Sequence, residues 1–210
     1  MVHCHTEQKD NLAVVRLDGY KDIIFDFLSE PAFEITNADF ALWGILPIAM
    51  RHKLSIDFQQ PISIESLKSA QQVAGIWAQW LPGFYHVPKI NASIAPPVAH
   101  SNKKNLTFFS GGVDSTFSSY KAFKVGGEDS DCLTVQGLDY SPGSSGGEKF
   151  EKLKKLTESF RDLVFDRSRF IRTNLYNVYN KASYGGCNPR GHHVTHIFAL
   201  FSCASLFNEY

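Results

Sequence analysis

The sequence reads as an α/β protein, a parallel sheet with flanking helices preceded by a smaller α+β N-terminal region. Three observations predict this. Residues 106–124, LTFFSGGVDSTFSSYKAFK, pass from an apolar run through paired glycines into a segment with Phe117, Tyr120 and Phe123 at helical spacing. That succession is strand, tight turn, helix. Two more apolar runs of strand length follow at 132–136 and 170–174, separated by an amphipathic segment at 148–163. The N-terminal half mixes a hairpin signal and an alternating stretch with two long helical patterns.

Each N-terminal element has a local reason. Residues 1–10 are polar and are expected to be loosely held, although His3, Cys4 and His5 are metal-ligand types. Closely spaced apolar residues lie on either side of Asp18-Gly19 within 12–27, the pattern of a β-hairpin. Asn37-Ala38-Asp39 is a helix start. Pro47 lies within that helix and is expected to kink or divide it, because proline lacks a backbone donor and clashes with the preceding turn. Residues 54–58, LSIDF, alternate as a half-buried strand does. Ser63 is placed to cap the next helix, with Glu65 in its first turn. Trp77 and Trp80 on that helix are expected to pack in the core. Leu81-Pro82-Gly83 stops it, and a further extended piece follows at 85–92.

The turn at Ser110-Gly111-Gly112 carries chemistry. The first N–H groups of a helix lack internal partners and sit at the positive end of its dipole. Glycines let backbone approach an anion closely, and Gly112 in particular is expected to need a positive φ. Ser110, Ser115 and Thr116 add hydroxyls, and Val113 contributes its N–H. No lysine follows the glycines, so the loop is not a Walker-type phosphate loop. Its charge is the carboxylate of Asp114, which beside a polyphosphate calls for a hard cation such as Mg²⁺. Complementing the helix N-terminus is the plainer role for the same side chain.

The string SGGVDS at 110–115 resembles the SGGxDS pyrophosphate loop of the PP-loop, or N-type, ATP pyrophosphatases. That family includes 7-cyano-7-deazaguanine synthases, the synthetase halves of asparagine and GMP synthetases, and tRNA-thiolating enzymes. The resemblance implies an adenine nucleotide α-hydrolase-like fold. It implies ATP as cosubstrate with Mg²⁺, and adenylation of a substrate carboxylate or carbonyl with release of pyrophosphate before a nitrogen nucleophile attacks. In that scheme Asp114 and Ser115 are the catalytic candidates. Ser110, Gly111, Gly112, Val113, Asp114, Ser115 and Thr116 bind nucleotide, and Asp114 places the metal. Neither the clustered cysteine zinc site of many deazaguanine synthases nor a paired thiolating cysteine is present among Cys4, Cys132, Cys187 and Cys203. The substrate itself is not readable from the residues.

Other residues reach the same rim by position. Ligands in open α/β sheets bind beyond the carboxyl ends of the strands. Gly137 and Asp139, after the run at 132–136, and Thr173, at the exit of 170–174, therefore join the nucleotide-binding set, with Asn174 on the same rim. Asp139 is suited to a ribose hydroxyl or a metal, or to a turn hydrogen bond. Residues 140–147, YSPGSSGG, read as a lid or a connector. The loop at 183–193 offers Arg190 for phosphate or carboxylate, and His192, His193 and His196 for proton transfer. His192 and His196 stand one helical turn apart, a spacing that also suits a metal. An apolar helix is expected over 194–206.

Composition sets the remaining bounds. Lys plus Arg and Asp plus Glu each number 21 and the formal charge is zero, so nucleic acid is not indicated as a partner. No apolar run approaches the roughly 18 residues of a membrane span, and a cytoplasmic protein with reduced thiols is expected. The proline-bearing stretch 96–104 is read as a linker between a region of 1–95 and a nucleotide-binding domain of 105–210. That domain shows three strand signals, whereas doubly wound sheets have five or more. The expectation is an incomplete domain, or one completed by the N-terminal region, by self-association or by a partner. Nucleotide binding with weak or no turnover is the alternative function.

Overall fold

Eight strands join into one sheet in the computed structural model, which describes residues 1–28, 35–97, 105–125, 130–138, 144–161, 163–180, 186–188 and 194–207. The strands are β1 (Val2–Lys9), β2 (Leu12–Leu17), β3 (Ile23–Phe27), β4 (Ser55–Phe58), β5 (Lys89–Asn91), β6 (Asn105–Phe108), β7 (Ser130–Gln136) and β8 (Arg167–Thr173). Their order is β5-β4-β1-β2-β3-β8-β7-β6. Pairings β1–β2, β2–β3 and β3–β8 are antiparallel, and the other four are parallel. The helices are α1 (Asp39–His52), α2 (Ile64–Trp80), α3 (Val113–Tyr120), α4 (Ser144–Phe160), α5 (Leu175–Asn180) and α6 (His196–Ala204). Architecture is therefore α/β, with helices flanking a mixed sheet. No helix among the described residues is long and apolar enough to cross a membrane.

The hairpin expected around Asp18-Gly19 forms as β2–β3, with Gly19 at φ +79°. Residues 2–9 depart from expectation. They form a strand inside the sheet, held by β2 on one side and β4 on the other. Polar residues suffice there because one face of this part of the sheet meets solvent, and the ladder supplies what side chains do not. Cys4 turns into the core while the flanking histidines turn outward, which undoes the local metal reading. The His3 ring meets Asp57 Oδ2 at 3.3 Å. No group of three His, Cys, Asp or Glu among the described residues is able to hold a metal ion.

Helix α1 is apolar all round and buried along nearly its whole length, as a central helix must be. Pro47 does not divide it. Gly44 brings α6 close, since a Cβ there would lie 3.0 Å from Ser202 Oγ. Ser202 Oγ in turn donates to the Phe40 carbonyl at 2.6 Å, and Tyr179 Oη to the Gly44 carbonyl at 2.8 Å. The Asp39 carboxylate joins the starts of α1 and α2, accepting from Ser63 N at 2.8 Å, Ser63 Oγ at 2.5 Å and Ser66 Oγ at 2.9 Å. Ser63 Oγ also accepts from Ser66 N, the expected cap. Trp77 packs against Tyr85 and Phe198 rings, but Trp80 at the helix end is 68% exposed rather than core.

The helices lie on both faces around β6–β8. One apolar cluster contains α1, α5 and α6 with Leu133 and Ile171; a smaller one puts Leu153 of α4 with Phe109, Cys132, Val164 and Phe165. Residues 144–147, expected as lid or connector, are the first turn of α4; residues 140–143 lie outside the described set. Asp131 and Arg169, both buried, pair across β7 and β8 at 3.3 Å, with the guanidinium 5.0 Å from the Phe207 ring centre.

The two halves share the sheet through β3–β8, in register Phe25↔Thr173, Asp26↔Arg172 and Phe27↔Ile171. Asn174 bolts the seam. Its Oδ1 accepts from Ile24 N at 2.9 Å and its Nδ2 donates to the Asp22 carbonyl at 2.9 Å. The three parallel strands of residues 105–210 are thus extended by the five of 1–95. Of the linker expected at 96–104, only Pro96 and Pro97 are described.

Candidate functional site

Strand β6 ends at Phe108, and the chain turns through Phe109, Ser110 and Gly111 into α3. Phe109 N–H donates to the Leu133 carbonyl at 2.9 Å, and Thr134 Oγ1 to the Phe109 carbonyl at 3.0 Å, so β7 fixes the base of the turn. The reversal occurs at Gly111, with φ +75°. A Cβ at Gly111 would stand 2.6 Å from Leu153 Cδ1, so α4 closes on the loop from one side. The expectation for Gly112 is corrected. It is the N-cap of α3 with φ −78° and ψ 165°, ordinary extended backbone, and a Cβ there would meet only Ser110 Oγ at 3.5 Å.

Glycine at the N-cap brings no side-chain cap. Among the described residues, the N–H groups of Val113, Asp114 and Ser115 have no acceptor; the first helical bond is Thr116 N to the Gly112 carbonyl at 3.0 Å. The hydroxyls knit the loop to itself. Ser110 Oγ and Ser115 Oγ are 3.3 Å apart, and Ser115 Oγ and Thr116 Oγ1 donate to the Gly112 carbonyl at 3.0 and 2.9 Å. Asp114 is exposed in the first turn of α3. This is a preformed turn with three unspent backbone donors at a helix N-terminus, the geometry that receives anions.

A cavity of about 200 Å³ opens beside Ser110 at the carboxyl ends of β6 and β7. Leu138, Leu153 and Leu200 wall it, and its polar lining is Ser110, Thr134 and His196. It is smaller than the roughly 300–1,000 Å³ of complete ligand sites, so it suits one ring of a larger molecule. On the outer side of the loop, Gly111, Val113, Thr116, Phe117, Tyr120, Phe160 and Val164 border a groove of about 450 Å³. The apolar side of α3 looks out onto it, with Phe117 63% exposed. The helix seen in the sequence is there, but its aromatic face is not buried among the described residues. A further cavity of about 420 Å³, lined by Asp39, Ser63 and Phe207 among others, includes none of the loop residues.

The remaining rim residues separate by role. Gly137 (φ +104°) abuts β8 so closely that a Cβ would fall 1.8 Å from the Thr173 carbonyl oxygen. Thr173 is buried, and its Oγ1 accepts from Leu175 N at 3.3 Å at the start of α5. Both residues are at the predicted strand ends, and both are engaged with each other's backbone or the next helix. Asp139, Arg190, His192 and His193 lie outside the described residues.

Three contributors escaped sequence reading. Leu138 follows a strand and Leu200 sits within an apolar helix, and neither position carries a signal for a ligand. Asn188 accepts from Thr195 N and Oγ1 at 3.1 and 2.8 Å, fixing where α6 begins, and donates to Asn180 Oδ1 at 2.7 Å. An Asn seven residues ahead of a Thr carries no signal of that kind.

All four cysteines are buried and free. Burial pushes the thiols of Cys4, Cys132 and Cys187 up to about 12, and that of Cys203 higher still. None is poised as a nucleophile.

Mg²⁺ fits the loop in one sense. Its usual sites pair one or two carboxylates with the phosphates of a substrate, and Asp114 supplies one exposed carboxylate beside the unspent donors. Comparison of the chain with protein-family models, curated proteins and solved structures yields no match.

Proposed function

We propose that the chain binds ATP at the loop 110–116 and acts as an AMP-forming ATP pyrophosphatase. The carrying observation is the SGGVDS string on a strand–turn–helix whose first three helical N–H groups are unspent. These donors and the hydroxyls of Ser110, Ser115 and Thr116 hold the pyrophosphate moiety. Gly111 supplies the reversal that aims them. The apolar cavity beside Ser110 receives the base, between Leu138 and Leu200. Asp114 holds Mg²⁺, which when bound neutralises phosphate charge. A carboxylate or carbonyl oxygen of a small substrate attacks the α-phosphate, pyrophosphate departs, and a nitrogen nucleophile then displaces AMP. The aligned donors stabilise the charge developing on the leaving oxygens.

One observation favours nucleotide binding with little turnover. Among the described residues β6 is the edge strand, so the loop is flanked by β7 on one side only. Pyrophosphate release over a panel of small carboxylates and nitrogen donors separates the two readings. Binding itself is tested by calorimetry with Asp114→Asn. Affinity for Mg-ATP should fall about tenfold or more, in line with loss of a charge-assisted contact, while metal-free ATP binding changes little. Equal losses in both conditions would remove the metal role; no ATP binding by the wild-type chain would remove the proposal.

A further inference from the structure

We propose that His196 is a phosphate-contacting residue of this site, its imidazole N–H donating to the triphosphate chain; the inference rests on the ATP reading above. His196 and Ser110 are far apart in sequence yet line one cavity. Of the three polar side chains there, two are committed. Ser110 Oγ faces Ser115 Oγ, and Thr134 Oγ1 donates to the Phe109 carbonyl. His196 makes no hydrogen bond or ion pair among the described residues. Its position is nonetheless fixed. It is the first residue of α6, and Asn188 holds the preceding Thr195 by two hydrogen bonds.

The ligand chemistry follows from what else is present. No lysine or arginine lines the cavity or the adjoining groove among the described residues. A triphosphate at Gly112–Ser115 would meet backbone donors from α3, and a cation only through Asp114. An imidazole with an uncommitted donor, opening the cavity on its other wall, supplies a contact from the second helix. The face of the base would be served as well by an apolar residue, as at Leu200 one turn further along α6.

The test uses the full 210-residue chain, His196→Gln and His196→Leu. In wild type, the His196 ring resonance, assigned by its absence in the variants, should move on adding Mg-ATP and also on adding inorganic triphosphate. By calorimetry, His196→Leu should bind Mg-ATP about 10- to 100-fold more weakly, the range for a hydrogen bond to a charged group, and His196→Gln should recover part of that loss. A ring resonance unmoved by Mg-ATP, or equal affinity in wild type and His196→Leu, overturns the inference while leaving ATP binding intact. So does a variant weakened only in proportion to a lowered melting temperature. If the wild-type chain binds no ATP, the inference falls with the reading beneath it. Should His196→Leu fail to fold, the wild-type resonance and His196→Gln still decide.

Discussion

Gly111 and Gly112 are adjacent in sequence, and the structure assigns them opposite sensitivities. Gly111→Ala forces an L-residue into φ +75° and brings its Cβ within 2.6 Å of Leu153 Cδ1. A non-glycine residue in that region costs about 1–2 kcal/mol, and displacing the Leu153 methyl adds up to about 1 kcal/mol of rotamer strain. A total of about 1–3 kcal/mol corresponds to a drop of about 2–12 °C in melting temperature for a chain of this length. Gly112→Ala adds a Cβ in ordinary extended backbone, with Ser110 Oγ at 3.5 Å as its nearest neighbour. It should cost about 1 kcal/mol or less, the penalty of alanine at an N-cap. Thermal melts of both variants, with Leu153→Ala alone and combined with Gly111→Ala, separate the two terms. If the double variant regains the clash term and keeps the backbone term, the account holds. Equal melting temperatures for Gly111→Ala and wild type, or a larger loss for Gly112→Ala, would refute it.

Gly137→Ala, with φ +104° and a Cβ 1.8 Å from the Thr173 carbonyl oxygen, should lose more than about 4 kcal/mol and come out of cells largely insoluble; a normal soluble yield and melt would contradict the β7–β8 contact. Asp131→Asn replaces the carboxylate that meets the buried Arg169 guanidinium at 3.3 Å and should cost about 3–5 kcal/mol in urea denaturation, whereas Asp131→Leu with Arg169→Met should cost clearly less. Thiol pKa values raised by burial make the folded state hold protons that the unfolded chain releases first. Stability from Cys4, Cys132 and Cys187 is therefore full below the ordinary thiol value of 9.0 and declines as pH rises towards about 12, seen as a falling urea midpoint. Thiol-reactive dye should label none of the three at about pH 8 until urea unfolds the chain.

The parts of the fold written in local pattern were legible. The hairpin at Asp18-Gly19, the Ser63 cap, the strand at 55–58 and the turn at 110–112 each depend on neighbours in sequence. Elements whose stability comes from elsewhere were not. Residues 2–9 look like a loose tail because only Cys4 is fully buried, and the strand exists because β2 and β4 flank it. Pro47 stays inside an unbroken α1 because burial on every side outweighs one lost hydrogen bond. At the site, the loop was visible as a string. Its division of labour was not: Gly111 takes the positive φ with Leu153 of α4 against it, and nothing in the local sequence singles it out from Gly112. His196 stood out as a histidine, but only the path of α6 down the sheet brings it beside Ser110.

The seam between β3 and β8 has a kinetic consequence. Ile24 and Asn174 bond across 150 residues of chain, and the ladder beside them spans nearly the same interval. Contacts that distant repay the entropy of loop closure only after most of the chain is in hand, so folding should be slow for a protein of this size. During synthesis β3 leaves the ribosome long before its partner exists. Until residues 167–173 emerge, its outer edge can pair with any other unpaired strand, including β3 of a neighbouring nascent chain. Yield in cells should then depend on elongation rate and on chaperones that hold strand edges. A silent slowing of translation between β3 and β8 would lower the soluble fraction without altering a single contact in the finished molecule.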